Sequence, residues 1–314
     1  MTNLSDSPAS ELSWRALSPG DGAALDRLAH SAGRPAVGTE LSTIPDLAGN
    51  SIAAFAGAEL VAAGWLVADH SFKHEQRIYL HDVARSAYAD GDALLEWLEA
   101  RARQLAAEQA DGRPQIMRID SPNLDPAAIA SYERHGFLLA AAEDQMRFDL
   151  SQPIPAAPLP DGIRFERWSD ANAERWHPVY LAAFRERPGF PGWDRATWEG
   201  AYIGYAGFRA ERSLLAMAGD QGAGYAVCAI DSDAPEHAGG TLWVAQIGVH
   251  PDFRRRGLAG ALLAAVLRDA RAAGFAAVML DVNVNNPTAR SVYERMGFGL
   301  TQRLSSYRKP VTSS

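Results

Sequence analysis

Cysteine is almost absent from the sequence, since Cys228 is the only one among 314 residues. A single cysteine excludes an intramolecular disulfide and any metal site built from several cysteines, and it suits a reducing compartment. No motif around Cys228 would make its thiol a nucleophile. We therefore interpret Cys228 as a small buried apolar residue.

Long apolar runs and an excess of basic residues are missing as well. No window reaches the roughly 18 apolar residues of a membrane-spanning helix, and the opening MTNLSDSPAS has no apolar stretch behind a basic start. The formal net charge of -8 excludes a general attraction to nucleic acid or anionic lipid. We expect a cytoplasmic protein that binds neither nucleic acid nor a membrane, so any phosphate binding must be local.

Proline is concentrated in one segment, SQPIPAAPLPDG, which covers residues 151–162 and holds four of the 18 prolines. Prolines remove backbone donors and favour extended structure, so this segment predicts a linker. It separates residues 1–150 from residues 163–314. Each half is long enough to bury a core of its own.

The two halves share a repeated motif. SYERHGFLL at residues 131–139 and SVYERMGFGL at residues 291–300 have Y-E-R-x-G-F in common. Tyr132 and Tyr293 are 293 − 132 = 161 residues apart, and similar strand and helix patterns precede each of them. The repeat predicts two tandem copies of one fold.

Alternating and helical periods follow one another in the second half. Strand patterns cover residues 162–168, 212–219, 224–231, 241–249, 276–284 and 300–308, with a turn at 220–224. Helical patterns cover residues 169–187, with a kink expected at Pro178, and residues 257–271 and 288–295. This order predicts a mixed α/β (α+β) fold.

The stretch VHPDFRRRGLAGALLAAVL, residues 249–267, places three arginines before a glycine-rich helix start. The first turn of a helix has four unpartnered N–H groups and the positive end of the dipole, which suit phosphate oxygens. Gly257, Ala259 and Gly260 keep the backbone bare enough for a close approach. Taken alone, these residues are either an exposed charge run or a cradle for an anion.

Three neighbouring motifs narrow this choice. A strand ends in V-H-P-D-F, R-x-x-G-x-A follows at residues 254–259, and N-x-x-A-x-x-x-Y-E-R-x-G-F spans residues 286–298. Together they resemble the GNAT superfamily of N-acetyltransferases, whose R/Q-x-x-G-x-G/A signature binds the pyrophosphate of acetyl-coenzyme A. The two-copy layout resembles the tandem subgroup of that family. The resemblance implies two tandem GNAT-like domains, each a mixed, mostly antiparallel sheet flanked by helices, of which the second binds acetyl-coenzyme A.

The resemblance also implies roles for individual residues. Backbone amides of residues 254–260 would hold the pyrophosphate, the edge of residues 247–249 would pair with the pantetheine arm, and Asn286 would contact that arm. Separation of the two strands at Val249 and Val284 would admit the thioester, and the Tyr293 phenol would protonate the departing thiolate. The implied cofactor-binding residues are Ile247, Gly248, Val249, Arg254, Arg255, Arg256, Gly257, Leu258, Ala259, Gly260 and Asn286, and the implied catalytic residue is Tyr293.

Direct attack of an acceptor amine on the acetyl carbonyl is the mechanism that the resemblance implies. An alkylamine with a pKa of about 10 must first lose a proton, so a general base or a water chain is required. Many relatives carry a glutamate six residues before the strand-ending valine, where this sequence has Trp243. Chain position makes Glu186, His177 and Asp281 candidates, and the sequence assigns the role to none of them. No metal is predicted, because metal-ligand spacing is missing among the histidines, including His70, His74 and His81.

The first half keeps the pattern of the fold without the cradle. Its corresponding segment, ARSAYADGD, has Asp90 and Asp92 in place of the arginines and glycine. Carboxylates at a helix start occupy the favourable end of the dipole and repel another anion. Asp125 stands where Asn286 stands in the second half, whereas Tyr132 is retained. We predict that the first half binds no acetyl-coenzyme A and supports the second half.

Aromatic residues are dense in the segment that varies within the family. They are Phe184, Phe190, Trp193, Trp198, Tyr202, Tyr205 and Phe208. Two interpretations stay open: a pocket for an aromatic or cationic acceptor, and core packing, which aromatic residues at helical spacing favour.

Three functions are compatible with the sequence. The leading one is transfer of an acetyl group from acetyl-coenzyme A to the primary amine of a small molecule. A protein N-terminus or lysine as acceptor would require an open groove in place of an enclosed pocket. A non-catalytic acyl-coenzyme A sensor would account for Trp243 in place of a carboxylate.

Overall fold

The computed structural model describes residues 12–34, 36–70, 75–84, 91–122, 126–187, 190–230 and 239–311. Contacts between residues divide the chain into two compact units. The first unit consists of Met1–Ala142 and Arg303–Ser314, and the second unit consists of Glu143–Gln302.

The first unit is a mixed, mostly antiparallel sheet with helices. In spatial order, its strands are β1 (Leu12–Arg15), β2 (Ser51–Ala56), β3 (Glu59–Asp69), β4 (Gln76–Ala84), β5 (Gln115–Pro122) and the later part of β12 (Gly299–Pro310). Its helices are α1 (Gly22–Ser31), α2 (Gly91–Glu108) and α3 (Pro126–Arg134). Strands β4 and β5 run parallel, and the other neighbours are antiparallel.

The second unit repeats this plan. In spatial order, its strands are the later part of β6 (Leu138–Asp149), β11 (Ala277–Asn283), β10 (Thr241–Val249), β9 (Gln221–Ala229), β8 (Leu214–Ala218) and β7 (Ile163–Arg167). Its helices are α4 (Trp176–Phe184), α5 (Arg195–Tyr202), α6 (Leu258–Ala272) and α7 (Pro287–Arg295). Strands β10 and β11 run parallel, and the other pairs for which a register is defined are antiparallel. The predicted α/β (α+β) class, with mixed and mostly antiparallel sheets, is confirmed.

Strand pairing gives the units limits that differ from those of the sequence copies. Residues 143–149 belong to the first copy by sequence, and they pair with β11 in the second unit. Residues 304–310 belong to the second copy, and they pair with β5 in the first unit. The domain limits predicted from the linker, 1–150 and 163–314, describe the two sequence copies. They stay a prediction.

Helix α6 packs closely on the sheet of the second unit because both surfaces are small or apolar where they meet. A Cβ atom on Gly224 of β9 would lie 2.9 Å from the carbonyl oxygen of Gly248 and 3.4 Å from the side chains of Leu258 and Leu262. Only glycine fits at such a close approach. The start of α6 is therefore held tightly against β9 and β10.

Two apolar layers cover opposite faces of this sheet. The first includes α6, Tyr293 of α7 and the inward residues of β10 and β11. The second is an aromatic layer that includes Trp176, Tyr180, Trp198 and Tyr225. Cys228 is fully buried in the first layer, and burial raises the pKa of its thiol. The interpretation of Cys228 as a buried apolar residue is confirmed.

The predicted strands and helices of the second half are present, with three corrections. The helix predicted over residues 169–187 is a 3₁₀ turn at Ala173–Arg175 followed by α4. The kink expected at Pro178 is wrong, because this proline lies in the first turn of α4, where its missing N–H costs no intrahelical bond. Strand β9 begins at Gln221, so most of the predicted turn at 220–224 is strand.

Candidate active site

The loop before α6 has the backbone shape of an anion site. Arg255 and Gly257 have positive φ angles of 60° and 80°, so the chain turns sharply before the helix. In the part of the chain that the structure describes, the N–H groups of residues 255–260 donate to no protein acceptor. They include the first N–H groups of α6, where the helix dipole favours negative charge. Consecutive free amides in this arrangement suit phosphate oxygens.

The Arg254 side chain points away from these amides. Its guanidinium donates to Glu186 at 2.6 Å and to the Ala183 carbonyl at 3.0 Å. Its backbone N–H donates to the Pro251 carbonyl at 3.2 Å. Arg254 therefore anchors the loop to the end of α4, and the free amides begin at Arg255.

Arg255 and Arg256 are exposed at the rim of the loop. The Arg256 guanidinium lies 5.3 Å from the centre of the Phe253 ring, within cation–π range. Arg256 and Phe253 also line a shallow groove of about 280 Å³. Among the described residues, no ion pair involves Arg255 or Arg256, so both add positive charge to the rim.

Strands β10 and β11 separate beside this loop. They pair only between Thr241–Trp243 and Ala277–Met279. Beyond Trp243, β10 stays paired with β9 as far as Val249, with a register shift around Ala245. The predicted separation of the two strands is confirmed. In the described ranges of the second unit, the edge of residues 246–249 that faces β11 has no strand partner, so an extended ligand can pair there.

Tyr293 lies on α7 beside this separation. It is buried, and its ring centre is 6.2 Å from that of Phe298. Burial raises the pKa of Tyr293 to about 12, so the hydroxyl keeps its proton at neutral pH. No hydrogen bond joins the hydroxyl to another of the described residues. The implied role of Tyr293 as an acid stays a prediction.

Asn286 is the N-cap of α7. Its side-chain oxygen accepts the N–H of Ala289 at 3.1 Å, and its own N–H donates to the Asn283 carbonyl at 2.8 Å. The cap alone explains an asparagine at this position. Its side-chain NH₂ group donates to none of the residues that the structure describes, and the implied contact with a ligand stays a prediction.

Two of the three base candidates have other hydrogen-bond partners. Glu186 is exposed, and its hydrogen bond with Arg254 lowers its pKa. The Nε2 atom of His177 lies 2.9 Å from the Trp193 carbonyl oxygen, which can only accept, so Nε2 carries the proton. Glu186 is therefore already paired, whereas His177 keeps its Nδ1 atom as an acceptor.

The third candidate, Asp281, lies on β11 two residues beyond the pairing with Trp243. It is exposed, and it faces away from α6, because Leu280 and Val282 point into the layer under that helix. Partial loss of hydration and the negative charge of Glu143 raise the pKa of Asp281. A hydrogen bond with Gln145 opposes the shift.

Sequence reasoning missed Gln246, which connects β10 to the aromatic layer. Its side-chain oxygen accepts the Trp198 indole N–H at 2.8 Å and the Tyr225 hydroxyl, and its NH₂ group donates to the Tyr202 hydroxyl at 3.0 Å. The register shift at Ala245 turns Gln246 toward this layer. The available signal was a single amide within the otherwise apolar strand TLWVAQIGV.

Most aromatic residues of this variable segment pack in the core. Trp198 is fully buried, whereas Tyr205 is 44% exposed. The residues that pack against the aromatic layer and remain partly accessible include Phe184, Phe190, Trp193, Tyr202 and Phe208. The packing interpretation is confirmed. The hydrogen bond between Gln246 and Tyr202 is a polar contact at the edge of the aromatic layer.

The tyrosine of the first unit is engaged by a carboxylate. The Tyr132 hydroxyl lies 2.8 Å from both carboxylate oxygens of Asp82, and Arg34 lies 3.6 Å from the same carboxylate. Burial and the charge of Asp82 raise the pKa of Tyr132 far above its ordinary value. This hydroxyl is therefore already used within the unit.

The carboxylate in the first turn of α2 also has partners within the first unit. Asp92, in the first turn of α2, accepts from the Ser131 hydroxyl at 2.5 Å and from Arg134 at 2.9 Å. Asp90 and Asp125, which the sequence analysis singled out, lie outside the described residues. The prediction that this half binds no acetyl-coenzyme A stays a prediction.

The described ranges contain neither a candidate membrane-spanning helix nor a candidate metal site. None of their helices is long and apolar enough to cross a membrane. No three His, Cys, Asp or Glu side chains in these ranges are grouped so that they could hold a metal ion.

Comparison with protein families gives a match in the second half. Residues 159–298 match the family model described as the acetyltransferase (GNAT) family. Mycothiol acetyltransferases are similar over longer stretches: that of Thermobispora bispora is 30% identical over 178 residues, 55% of this chain and 59% of that protein. The one from Geodermatophilus obscurus is 30% identical over 217 residues, 66% of this chain and 65% of that protein. The matched region thus spans less than two thirds of these curated relatives.

Solved structures match the whole chain at low identity. A GCN5-related N-acetyltransferase from Sphaerobacter thermophilus superposes with a TM-score of 0.68 at 20% identity, covering 96% of each chain. A tandem GNAT protein from the clavulanic acid biosynthesis pathway superposes with a TM-score of 0.58 at 17% identity, covering 97% of this chain and 100% of that one. These structural similarities establish that the chain has a tandem fold like that of the second structure.

Proposed function

Because the second half of this chain belongs to the GNAT acetyltransferase family, we propose that it transfers an acetyl group from acetyl-coenzyme A to the primary amine of a small molecule. The observation that carries the proposal is the row of free N–H groups over residues 255–260, at the start of α6. Arg255 and Arg256 add charge at its rim, whereas Arg254 is neutralised by Glu186. The cradle therefore acts mainly through its backbone.

The residues present fit a pyrophosphate followed by an extended chain. A Cβ atom on Gly257 would meet nothing within 4 Å, so the space above the loop is open. The free edge of residues 246–249 continues from the loop and supplies backbone partners for an amide-containing arm. These features support Ile247, Gly248, Val249 and residues 255–260 as the binding surface.

Acetyl-coenzyme A supplies an acyl group activated as a thioester when it is bound. Tyr293 holds a proton near the separated strands, and its raised pKa keeps it protonated over the physiological range. A protonated phenol within hydrogen-bond reach can donate to the departing thiolate, although burial makes Tyr293 a weaker acid than an ordinary phenol. The buried Cys228 takes no part, because burial raises the pKa of its thiol.

A small amine is favoured over a protein acceptor by the similarity to mycothiol acetyltransferases and by the aromatic layer beside the cleft. One observation favours a second candidate, a non-catalytic acyl-coenzyme A sensor. No residue of β10 is titratable, and Trp243 occupies the outward position nearest the start of the strand separation. Binding and turnover must therefore be measured separately.

The cofactor assignment is tested by calorimetric titration of acetyl-coenzyme A into the protein and into Gly257→Glu. The new carboxylate would enter the cradle, so we expect an affinity loss of at least about 100-fold, equivalent to about 2.7 kcal/mol. Gly274→Glu is the matched control. It lies at the other end of α6 and has a similar φ angle of 87°, and a Cβ atom there would also meet nothing within 4 Å.

One site per chain, lost in Gly257→Glu and kept in Gly274→Glu, supports the proposed cradle. Equal loss in both variants would mean that backbone strain alone caused the effect. No binding to the parent protein would contradict the proposal and leave the arginines as a surface charge run. Binding without acetylation of any amine in a broad panel would favour the sensor.

A further inference from the structure

The cleft between the separated strands needs a proton acceptor that β10 does not supply. The strand reads TLWVAQIGV and has no ionisable side chain. Glu186 is engaged by Arg254, and His177 lies on helix α4 and not on the sheet. A base on this sheet must therefore come from a neighbouring strand.

Asp281 is the carboxylate that the topology brings to the cleft. Trp243 and Met279 are the last residues paired between β10 and β11, and Asp281 is the next outward residue of β11. It lies on the sheet face opposite α6, the face on which Gln246 contacts Trp198 and Tyr202. Its carboxylate is thus beside the opening, on the side where the aromatic layer lies.

Neighbouring side chains surround this carboxylate and affect its pKa. Gln302 donates to Gln145 at 3.1 Å through its side-chain NH₂ group, and Gln145 is the direct partner of Asp281 across the antiparallel pair and lowers the pKa of its carboxyl. Glu143 is the diagonal neighbour, at a spacing of about 7–8 Å for such positions. This glutamate belongs to the first copy by sequence, and it enters the second unit through β6.

We infer that Asp281 is the general base that takes a proton from the acceptor ammonium, with Glu143 as its diagonal neighbour on the same face of the sheet. The inference rests on the proposed function, because it names the proton acceptor of the same site. It also assigns a task to the strand contributed by the first sequence copy. The acceptor it implies is a primary amine that enters as a cation.

The proton balance is complete with the residues present. An N–H bond of the ammonium breaks and an O–H bond forms on Asp281, which leaves a neutral amine with a free electron pair. The amine forms a C–N bond to the acyl carbon as the C–S bond breaks, and the sulfur takes the Tyr293 proton. The nitrogen then loses a second proton, which returns the Tyr293 phenolate to the phenol. The proton on Asp281 is released to water.

The charged and titratable groups around Asp281 set the sign of the pH effect. Loss of hydration and the charge of Glu143 raise the pKa of Asp281, and Arg187, 3.5 Å from Glu143, weakens the effect of that charge. Arg147 lies on the same face of β6, opposite Met279. Tyr202 approaches from α5 and stays neutral, because burial raises its pKa. The net shift is upward, so activity should rise with pH as Asp281 loses its proton.

The decisive experiment is a pH titration of protein labelled with ¹³C at aspartate carboxyl groups. The resonance missing from Asp281→Asn identifies the residue, and we expect it to titrate above the reference value of about 3.9. In the matched variant Glu143→Gln, the same resonance should titrate at lower pH. Neither measurement depends on turnover.

Turnover gives the second readout, with 2-phenylethylamine as the probe because the cleft wall is aromatic. Asp281→Asn should lower kcat/KM at pH 7 by about 10²- to 10⁴-fold with unchanged affinity for acetyl-coenzyme A. Activity should recover toward pH 10, where about half of the free amine is already neutral. Glu143→Gln should keep most of the activity and move its acid limb to lower pH.

An Asp281 resonance that titrates at or below the reference value overturns the inference. So does an Asp281→Asn variant with turnover within threefold of the parent protein, while the proposed function stands. Failure of acetyl-coenzyme A to bind the parent protein instead contradicts the proposed function, and the inference falls with it.

Discussion

The two units have the same framework and use its equivalent positions in opposite ways. In each unit, a pair of parallel strands separates after a short paired stretch, β4 from β5 in the first and β10 from β11 in the second. Within the described part of the second unit, the helix start beside the separation has free N–H groups and Tyr293 has a free hydroxyl. In the first unit, Asp92 and Tyr132 are both bonded within the unit.

This difference shows that the chemistry depends on which groups the fold leaves without partners. A tyrosine that donates to Asp82 has already committed its proton, and burial beside that charge raises its pKa far above the ordinary range. The pKa of Tyr293 is shifted to about 12 by burial alone. The same residue type is therefore structural in one unit and available for proton transfer in the other.

The largest expected effect is on turnover. Tyr293→Phe should lower kcat by about 10²- to 10⁴-fold, because the leaving thiolate loses its proton donor. The calorimetric affinity for acetyl-coenzyme A should stay unchanged, since the proposed cradle and strand edge bind through backbone groups that the substitution leaves in place. Tyr132→Phe is the matched control and should keep the parent kcat. Similar losses of turnover in both variants would break the comparison.

The next effect is on stability, and it is expected in the first unit. Tyr132→Phe removes the donor that faces Asp82 at 2.8 Å and leaves that carboxylate with Arg34 at 3.6 Å. The free energy of unfolding should fall by about 3 kcal/mol, as expected when a partly buried charge loses a hydrogen bond. Urea denaturation followed by fluorescence measures it. An unchanged midpoint would mean that the Asp82 contact adds no stability.

Much of the framework was predictable from local sequence. The alternation of TLWVAQIGV and AAVMLDVNV predicts β10 and β11, and the repeat Y-E-R-x-G-F predicts the equivalence of Tyr132 and Tyr293. The glycine-rich start of α6 predicts the free amides, because helix ends always leave N–H groups without intrahelical partners. These features depend only on short stretches of chain.

Contacts between distant residues were not predictable. Arg254 bonds Glu186, which is 68 residues away, and its side chain therefore leaves the cradle that its sequence position implied. The register shift at Ala245 turns Gln246 toward the aromatic layer. The pairing of residues 143–149 with β11 places Glu143 near Asp281. Periodicity predicts a strand but contains no information about its partner.

A third expected effect appears at alkaline pH. Tyr293 has a folded pKa of about 12 against an ordinary value near 10, so its ionisation is disfavoured in the folded state. Its contribution to stability is complete below pH 10 and is lost as the pH rises toward 12. Relative to Tyr293→Phe, the parent protein should lose up to about 2.7 kcal/mol over that range, at about 1.4 kcal/mol per pKa unit. Urea midpoints of both proteins at pH 9 to 12 measure it, and parallel curves would contradict the burial of the phenol.

The smallest expected effect tests whether the cradle acts through its backbone. Glu186→Gln breaks the ion pair with Arg254, and because the side chains of Arg254 and Glu186 are 37% and 60% exposed, stability should change little. The Ala183 carbonyl still holds the guanidinium, and the free amides of residues 255–260 are untouched. We therefore expect the affinity for acetyl-coenzyme A to change less than threefold by calorimetry. A tenfold tighter complex in Glu186→Gln would mean that a released Arg254 side chain binds the ligand, and the difference between the units would then depend on side-chain charge as much as on free amides.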